Sequence, residues 1–198
     1  MKLSEIVQML PDAQRQGNDA EVAEIAYDSR SVTPGALFVA LRGAKSLILR
    51  TSWVYAARGG NFARTMLKLA AERDALNVIA DQFGAPTGAE LLADVTAHAL
   101  LRTRATPALG GTYHCVAGGE THWQGYARFV IEWARAHGVG IQVAADAVKP
   151  IPTSAYPTPA QRPLNSRLDT RKLQANFGIT LPHWQTGVER MLIEIHGR

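Results

Sequence analysis

The chain has 198 residues, a length that suits one sizeable domain or one domain with a small appendage. Its 21 Lys and Arg against 17 Asp and Glu leave a formal charge of +4, and the basic residues are scattered, which argues against a nucleic-acid partner. No apolar run approaches the roughly 20 residues that cross a bilayer, and the N-terminus lacks the apolar stretch of a secretory signal, so the sequence predicts a cytoplasmic protein without a membrane partner.

The first part of the chain predicts one short helix followed by strands. Apolar residues at helical spacing predict a helix that ends at Pro11. Apolar runs predict strands at 22–27 and 37–41, and a β-branched run predicts a buried strand at 47–54. We expect the two N-terminal strands to provide sheet neighbours for the strand at 47–54.

Four later helices are predicted from their N-terminal residues or their apolar faces. Asn61 is a good N-cap for a helix that follows it. Thr87 with Glu90, and Thr121 with Gln124, have the spacing of a capping box ahead of apolar residues. The last helix is predicted by an apolar stripe formed by Trp184, Val188, Met191, Leu192 and Ile195. Tryptophans are expected to anchor the packing of the C-terminal helices, and these are Trp123, Trp133 and Trp184.

Between these helices the sequence predicts short strands at 77–80 and 113–117, and the single cysteine, Cys115, is interpreted as a buried, inert thiol. Residues 149–166 contain half of the ten prolines, which force an extended backbone. Alone, this segment is typical of a linker or a polyproline ligand. Because a short helix is predicted directly after it, we interpret it as an ordered loop over a site.

Motifs that would carry catalysis or hold a cofactor are missing from the sequence. No G-x-x-G-x-x-G or G-x-G-x-x-G segment is present to cradle a dinucleotide, and no Tyr-x-x-x-Lys pair is present to transfer a proton to a carbonyl. The six histidines show no metal-ligand spacing with one another or with Cys115. The sequence therefore predicts no catalytic residue, no metal and no cofactor on this chain alone.

Several blocks in one order carry a resemblance to a known family. They are Trp53, Asn61-Phe62, the segment 81–87 (DQFGAPT) and the segment 162–169 (RPLNSRLD). With these blocks, residues 47–198 resemble the C-terminal, substrate-binding part of the dTDP-4-dehydrorhamnose reductases, which are extended short-chain dehydrogenases.

The resemblance implies an α/β fold, a partial extended short-chain dehydrogenase fold preceded by an N-terminal β-rich segment. Members of this family use NADPH and in some cases Mg²⁺. The resemblance also implies substrate-binding roles: Trp53 as a stacking wall, Asn61 as a hydrogen-bond donor and Arg162 as a phosphate clamp. The further candidates for substrate binding are Phe62, Gln82 and Asn165.

Each of these residues also has a purely structural interpretation. Trp53 at a strand end suits a core aromatic, Asn61 suits an N-cap, and Arg162 suits a solvated loop position. Gln82 suits a side chain that fixes the turn before a helix. Glu90 is either a carboxylate in a metal-linked dimer contact, as the resemblance implies, or part of a helix cap, and we favour the cap.

Residues 1–45 resemble the N-terminus of a Mur ligase that acts on UDP-N-acetylmuramoyl-dipeptide. The resemblance rests on the Tyr27–Arg30 segment (YDSR) and on the run Leu37–Gly43. It implies that Ser29 and Arg30 contact a nucleotide. The likeness stops at Lys45, before the segment that completes this domain, so ligase activity is not expected.

Taken together, the sequence predicts a truncated reductase-like protein that binds a dTDP- or UDP-linked sugar without reducing it. A different possibility is a structural role, in which the chain forms a homodimer or docks onto a complete dehydrogenase. A third is a fusion fragment without a selected function.

Overall fold

The computed structural model describes residues 47–156 and 162–197. They belong to the second of two units into which the chain divides, Ala44–Arg198. The predictions that lie outside the described residues are the helix before Pro11, the strands at 22–27 and 37–41, the nucleotide contacts Ser29 and Arg30, and the Mur-ligase-like segment 1–45 as a whole.

The described residues form the mixed α/β fold that the sequence predicts. The strands are β1 (Leu47–Arg50), β2 (Val54–Tyr55), β3 (Leu76–Ile79), β4 (Phe83–Gly84), β5 (Thr87–Gly88), β6 (Gly111–His114), β7 (Thr121–His122) and β8 (Val148–Ile151). The helices are α1 (Phe62–Glu72), α2 (Ala89–Ala105), α3 (Trp123–Ala136), α4 (Arg171–Phe177) and α5 (Trp184–His196).

The strands pair two by two, and three of these four pairs are parallel. The parallel pairs are β1 with β6, β2 with β5 and β3 with β8, while β4 pairs with β7 in the antiparallel sense. The strand predicted at 47–54 is divided into β1 and β2, because Trp53 has a left-handed φ of 52° that interrupts the extended backbone. This break turns Trp53 away from the ladder and starts the loop that forms the site.

The starts of the helices show where local patterns predict correctly and where they do not. Asn61 caps α1, since its Oδ1 accepts a hydrogen bond from the backbone N of Arg64 at 2.9 Å. The capping box at Thr87 is wrong: Gly88 is the N-cap of α2, and Thr87 is fully buried in β5. The Thr87 hydroxyl instead donates to the carbonyl of Ala85 at 2.9 Å and accepts from the backbone N of Ala117 at 3.1 Å.

The capping box at Thr121 is also wrong, for a related reason. Thr121 belongs to β7, and the next residue, His122, caps α3 through its Nδ1, which accepts from the backbone N of Gly125 at 3.1 Å. The Gln124 side chain points elsewhere and donates to the carbonyl of Val148 at 2.9 Å. A tertiary contact thus takes the Gln124 side chain, and the Thr121 hydroxyl donates to the neighbouring carbonyl of His122 at 3.3 Å.

Apolar clusters hold the helices against the strands. Trp133 and Trp184 are buried in the largest cluster, together with the α5 stripe residues Val188, Met191 and Leu192, which confirms the predicted stripe. Cys115 is buried, as predicted, and burial raises the pKa of its thiol to about 11, so the thiol is protonated at neutral pH. None of the helices in the described part of the chain is long and apolar enough to cross a membrane.

Candidate functional site

The aromatic ring of Trp53 lies where four segments of the chain meet. It stacks on Trp123 with a centroid distance of 3.8 Å and an interplanar angle of 16°. It also lies against the backbone of Gly84, where an added Cβ would be 2.8 Å from Trp53 Cε2. Next to it, the Ser52 hydroxyl donates to the carbonyl of Ser166 at 3.1 Å. A left-handed backbone is unfavourable for tryptophan, and residues held in this way cluster at functional sites.

Gln82 fixes the orientation of the tryptophan on which Trp53 stacks. Only 5% of Gln82 is exposed, and its Oε1 accepts a hydrogen bond from Trp123 Nε1 at 3.0 Å. Its Nε2 donates to the Thr153 hydroxyl at 3.1 Å. That hydroxyl and the Thr153 backbone N both donate to the Asp81 carboxylate, and these bonds lower the pKa of Asp81. Gln82 is therefore a support of the aromatic wall, behind the surface that a ligand would touch.

Phe62 belongs to the same aromatic group. Its ring centroid is 4.7 Å from that of Trp123 and 5.1 Å from that of Tyr126. The sequence identified Trp123 only as a packing residue, although its ring stacks on Trp53 and carries the Gln82 hydrogen bond. No local pattern marks it, because its partners Trp53 and Gln82 are distant in the chain.

Replacing Gln82 by leucine is expected to lower the free energy of unfolding by about 1–3 kcal/mol, the typical cost of leaving a buried donor unpaired. The indole N–H of Trp123 would lose its acceptor, and the stack with Trp53 would loosen. Urea denaturation measures the first effect, and the circular dichroism of the coupled indoles measures the second. An unchanged spectrum together with unchanged stability would show that Gln82 does not support the pair.

A cavity of about 180 Å³, the Arg167 cavity, opens next to Gly84. Its lining consists of Gly84, Ala85, Val116, Ala117, Gly118, Gly119, Glu120, Arg167, Leu168 and Thr170. Small residues dominate this lining, so backbone groups are accessible to a ligand. Gly119 has a φ of 78°, and an added Cβ there would collide with the His183 ring, so this position requires glycine.

Arg167 is the cationic group of this cavity, and three neighbours hold it. Its Nε is 2.7 Å from Glu120 Oε2 and its Nη2 is 3.3 Å from Glu120 Oε1. Its guanidinium lies over the Phe83 ring, 4.5 Å from the centroid. Asn165 Oδ1 accepts a hydrogen bond from the Arg167 backbone N at 3.1 Å. The bond and charge of Arg167 lower the pKa of Glu120, which is therefore ionised at neutral pH.

The remaining candidates from the sequence lie in other places. Asn61 is occupied as the N-cap of α1, and its Nδ2 donates to the carbonyl of Ala56 at 2.7 Å. Arg162 is exposed and directly follows the undescribed segment 157–161. Glu90 is exposed in the first turn of α2, where it lines a separate cavity of about 200 Å³. The structural interpretation thus accounts for Asn61, whereas Gln82, Phe62 and Asn165 support the residues around Trp53 and Arg167.

Neither a dinucleotide-binding turn nor a cluster of metal-ligand side chains is found among the described residues. The turn from β2 to α1 contains Gly59 and Gly60, but it lacks the three-glycine spacing that lets a helix N-terminus approach a pyrophosphate. Within 47–156 and 162–197, no three His, Cys, Asp or Glu side chains are grouped as metal ligands. We therefore derive no hydride-transfer step for this chain.

The fold is that of the substrate-binding part of an extended short-chain dehydrogenase. The chain belongs to the family described as the RmlD substrate binding domain, whose family model matches residues 17–196. This match begins before residue 47, where the sequence predicted the boundary between two segments. None of the relatives described below is a Mur ligase, and that resemblance stays a prediction.

Curated relatives agree with this family. The chain is 60% identical over 152 residues to a dTDP-4-dehydrorhamnose reductase of Shigella flexneri, covering 77% of this chain and 50% of the relative. It is 51% identical over 179 residues to an Escherichia coli enzyme of the same name, covering 90% of this chain and 59% of the relative. The chain thus spans roughly half the length of the curated relatives that it matches.

Solved structures give the same result for the fold. The dTDP-4-dehydrorhamnose reductase of Bacillus anthracis, in complex with NADP, is 33% identical with a TM-score of 0.60, covering 75% of this chain and 48% of that one. The corresponding protein of Clostridium acetobutylicum is 30% identical with a TM-score of 0.62, covering 76% and 49%. The predicted α/β fold is confirmed for the described residues 47–156 and 162–197.

Proposed function

We propose that this chain binds a nucleoside-diphosphate sugar at the Arg167 cavity and does not reduce it. The observation that carries this proposal is a guanidinium, held over Phe83, on the wall of a glycine-lined cavity beside the Trp53–Trp123 stack. A guanidinium fork suits phosphate oxygens, and aromatic faces suit the apolar face of a sugar. The reductase relatives support the same ligand class.

The size of the cavity limits which part of the ligand it can take. Pockets for drug-sized molecules have volumes of about 300–1,000 Å³, so a cavity of about 180 Å³ suits only a portion of a sugar nucleotide. We assign the diphosphate to Arg167 and the sugar to the Trp53 side. Asn165 supports Arg167, and Phe62 and Gln82 support the aromatic wall. Arg162 stays a second, untested candidate for a phosphate contact.

The proposal that this chain does not catalyse reduction rests on the sequence. The Tyr-x-x-x-Lys pair and the three-glycine turn are missing, so the chain has no group to pass a proton and none to cradle NADPH. The family match begins at residue 17, within the segment 1–45, so we propose only that Ser29 and Arg30 contact a uridine nucleotide. We also propose a cytoplasmic location.

Calorimetry with dTDP and with UDP-N-acetylglucosamine tests the binding proposal directly. We expect heat of binding with at least one of them and a lower affinity at higher salt concentration, because a charged contact is screened. Arg167→Gln should weaken binding about tenfold or more, in keeping with the loss of a charge-assisted hydrogen bond. No heat with either ligand would contradict the proposal.

A kinetic assay tests the absence of reduction separately. NADPH oxidation with dTDP-4-dehydro-rhamnose should proceed at the background rate. Turnover above about 1 per second, which is within the ordinary range for enzymes, would contradict the proposal that this chain does not catalyse reduction.

An assembly role is a second candidate, favoured by the exposure of Ile48 on β1. This strand pairs with β6, and in the described part of the chain no other strand pairs with it. Ile48, on β1, is 46% exposed, which is unusual because both faces of a parallel sheet are normally covered. Such a strand would suit the cofactor half of a complete dehydrogenase, or a second copy of this chain. The assembly role would be excluded if the protein is strictly monomeric in light scattering and captures no dehydrogenase. If calorimetry also shows no binding of either nucleotide ligand, the remaining hypothesis is a fusion fragment without a selected function.

A further inference from the structure

In this structure a carboxylate already occupies the Nε–Nη2 edge of the Arg167 guanidinium. Two of its nitrogens contact the two oxygens of Glu120, at 2.7 and 3.3 Å. Glu120 itself lines the Arg167 cavity. The negative charge of Glu120 therefore stands where a phosphate of the proposed ligand would bind.

We propose that Glu120 is a gate: it competes with the ligand diphosphate for the Nε–Nη2 edge of the Arg167 guanidinium and must leave that edge before the diphosphate takes it. This inference rests on the proposed function, since it assumes that the Arg167 cavity takes a diphosphate. It assigns to Glu120 a role that the sequence did not suggest.

The surroundings of the ion pair decide which partner moves. The Phe83 ring lies under the Arg167 guanidinium, and Asn165 fixes the Arg167 backbone through its N–H. The Glu120 side chain is 59% exposed, and its carboxylate accepts hydrogen bonds from Arg167. It follows Gly119 in a glycine-rich loop, where it can turn into solvent. The guanidinium thus stays in place, and Glu120 is the group that swings away.

The competition is expected to be modest in size. An exposed ion pair is weak and is screened by salt, whereas a diphosphate offers several charged oxygens to the same fork. The diphosphate therefore displaces Glu120, but its apparent affinity is the intrinsic affinity multiplied by the fraction of molecules in which this edge of the guanidinium is free. If the pair is closed in most molecules, the affinity is reduced about three- to tenfold.

The test is calorimetry with dTDP on the full chain at low salt, with four proteins and one control. Glu120→Gln should bind dTDP about three- to tenfold more tightly than the wild type, in proportion to the fraction of closed pairs. Arg167→Gln should bind more weakly. In the Arg167→Gln background, Glu120→Gln should change the affinity little, because the competition needs both groups.

The matched control is Glu132→Gln. Glu132 is 55% exposed, similar to the 59% of Glu120, and forms an exposed pair with Arg128 on α3, outside the cavity lining. The Glu132→Gln substitution removes the same charge as Glu120→Gln and should leave the affinity for dTDP unchanged. This control separates a local gate from a general effect of net charge.

The outcomes separate the gate from the proposed function. Wild-type binding that Glu120→Gln does not improve would overturn the gate and leave the proposed function standing. An equal gain in the Arg167→Gln background would also overturn the gate, since it would show simple repulsion. Tighter binding by Glu120→Gln than by the wild type, without such a gain in the Arg167→Gln background, would support the gate, and no binding by any protein would overturn both proposals.

Discussion

Gly84→Ala is expected to displace the Trp53 ring from Trp123 and to weaken nucleotide-sugar binding about tenfold or more. An added Cβ at this position would lie 2.8 Å from Trp53 Cε2 and within 3.2 Å of two further ring atoms. The ring has Trp123 stacked on it, so it cannot retreat without breaking that stack. Overpacking of this kind costs about 1–3 kcal/mol of stability.

The measurements for Gly84→Ala are the circular dichroism of the stacked indoles, urea denaturation and dTDP calorimetry. Gly60→Ala is the matched control, because an added Cβ there meets nothing within 4 Å. It should leave the spectrum and the affinity unchanged. An unchanged indole signal in Gly84→Ala would show that the close approach of Gly84 and Trp53 is not needed for the stack.

Trp184→Ala is expected to lower the free energy of unfolding by about 3–5 kcal/mol, the usual cost of removing a large buried aromatic. Trp184 is 5% exposed, and its ring makes edge contacts with Tyr126 and Phe129 on α3. The loss would therefore separate α5 from α3. Because native domains have about 5–15 kcal/mol of stability in total, this variant should unfold at a much lower urea concentration.

Ile193→Ala on the same helix is the control for Trp184→Ala. Ile193 is 42% exposed, so its truncation should change stability by no more than about 0.5 kcal/mol. Equal losses in both variants would show that burial of Trp184 is not what holds α5 in place. A loss under about 1 kcal/mol in Trp184→Ala would contradict the assignment of this residue to the core.

The two predictions concern residues that are connected through Trp123. Trp184 holds α5 to the helix that begins with Trp123, and Trp123 in turn carries Trp53. Gln82 ties the Trp123 indole to Thr153, which lies at the start of the proline-rich segment. A change in that segment can therefore reach the aromatic wall without touching the ligand.

Features that depend on neighbours along the chain could be predicted from the sequence. Asn61 caps α1 because an Asx side chain reaches a backbone N three residues on, and the α5 stripe follows from helical periodicity alone. Cys115 lies in an apolar run, and its burial follows. The ordered blocks around Trp53 and Arg162 were enough to indicate the family.

Only the tertiary structure decided the chemistry of the site. Thr87 and Thr121 match a capping motif, but strand pairing places each of them before the helix and gives their hydroxyls other contacts. Arg167 and Glu120 are 47 positions apart, and Gln82 and Trp123 are 41 positions apart. Helix and strand periodicity therefore cannot predict that these side chains are in contact.

The left-handed backbone of Trp53 is the same kind of feature. Its own sequence neighbourhood favours an extended strand, and contacts with Trp123 and Gly84 override that preference. The sequence by itself determined the family, the helices and the inert thiol, because these depend on short-range patterns. The tertiary structure decided which arginine faces the cavity and which carboxylate blocks it, because charge pairs form wherever the fold brings distant loops together.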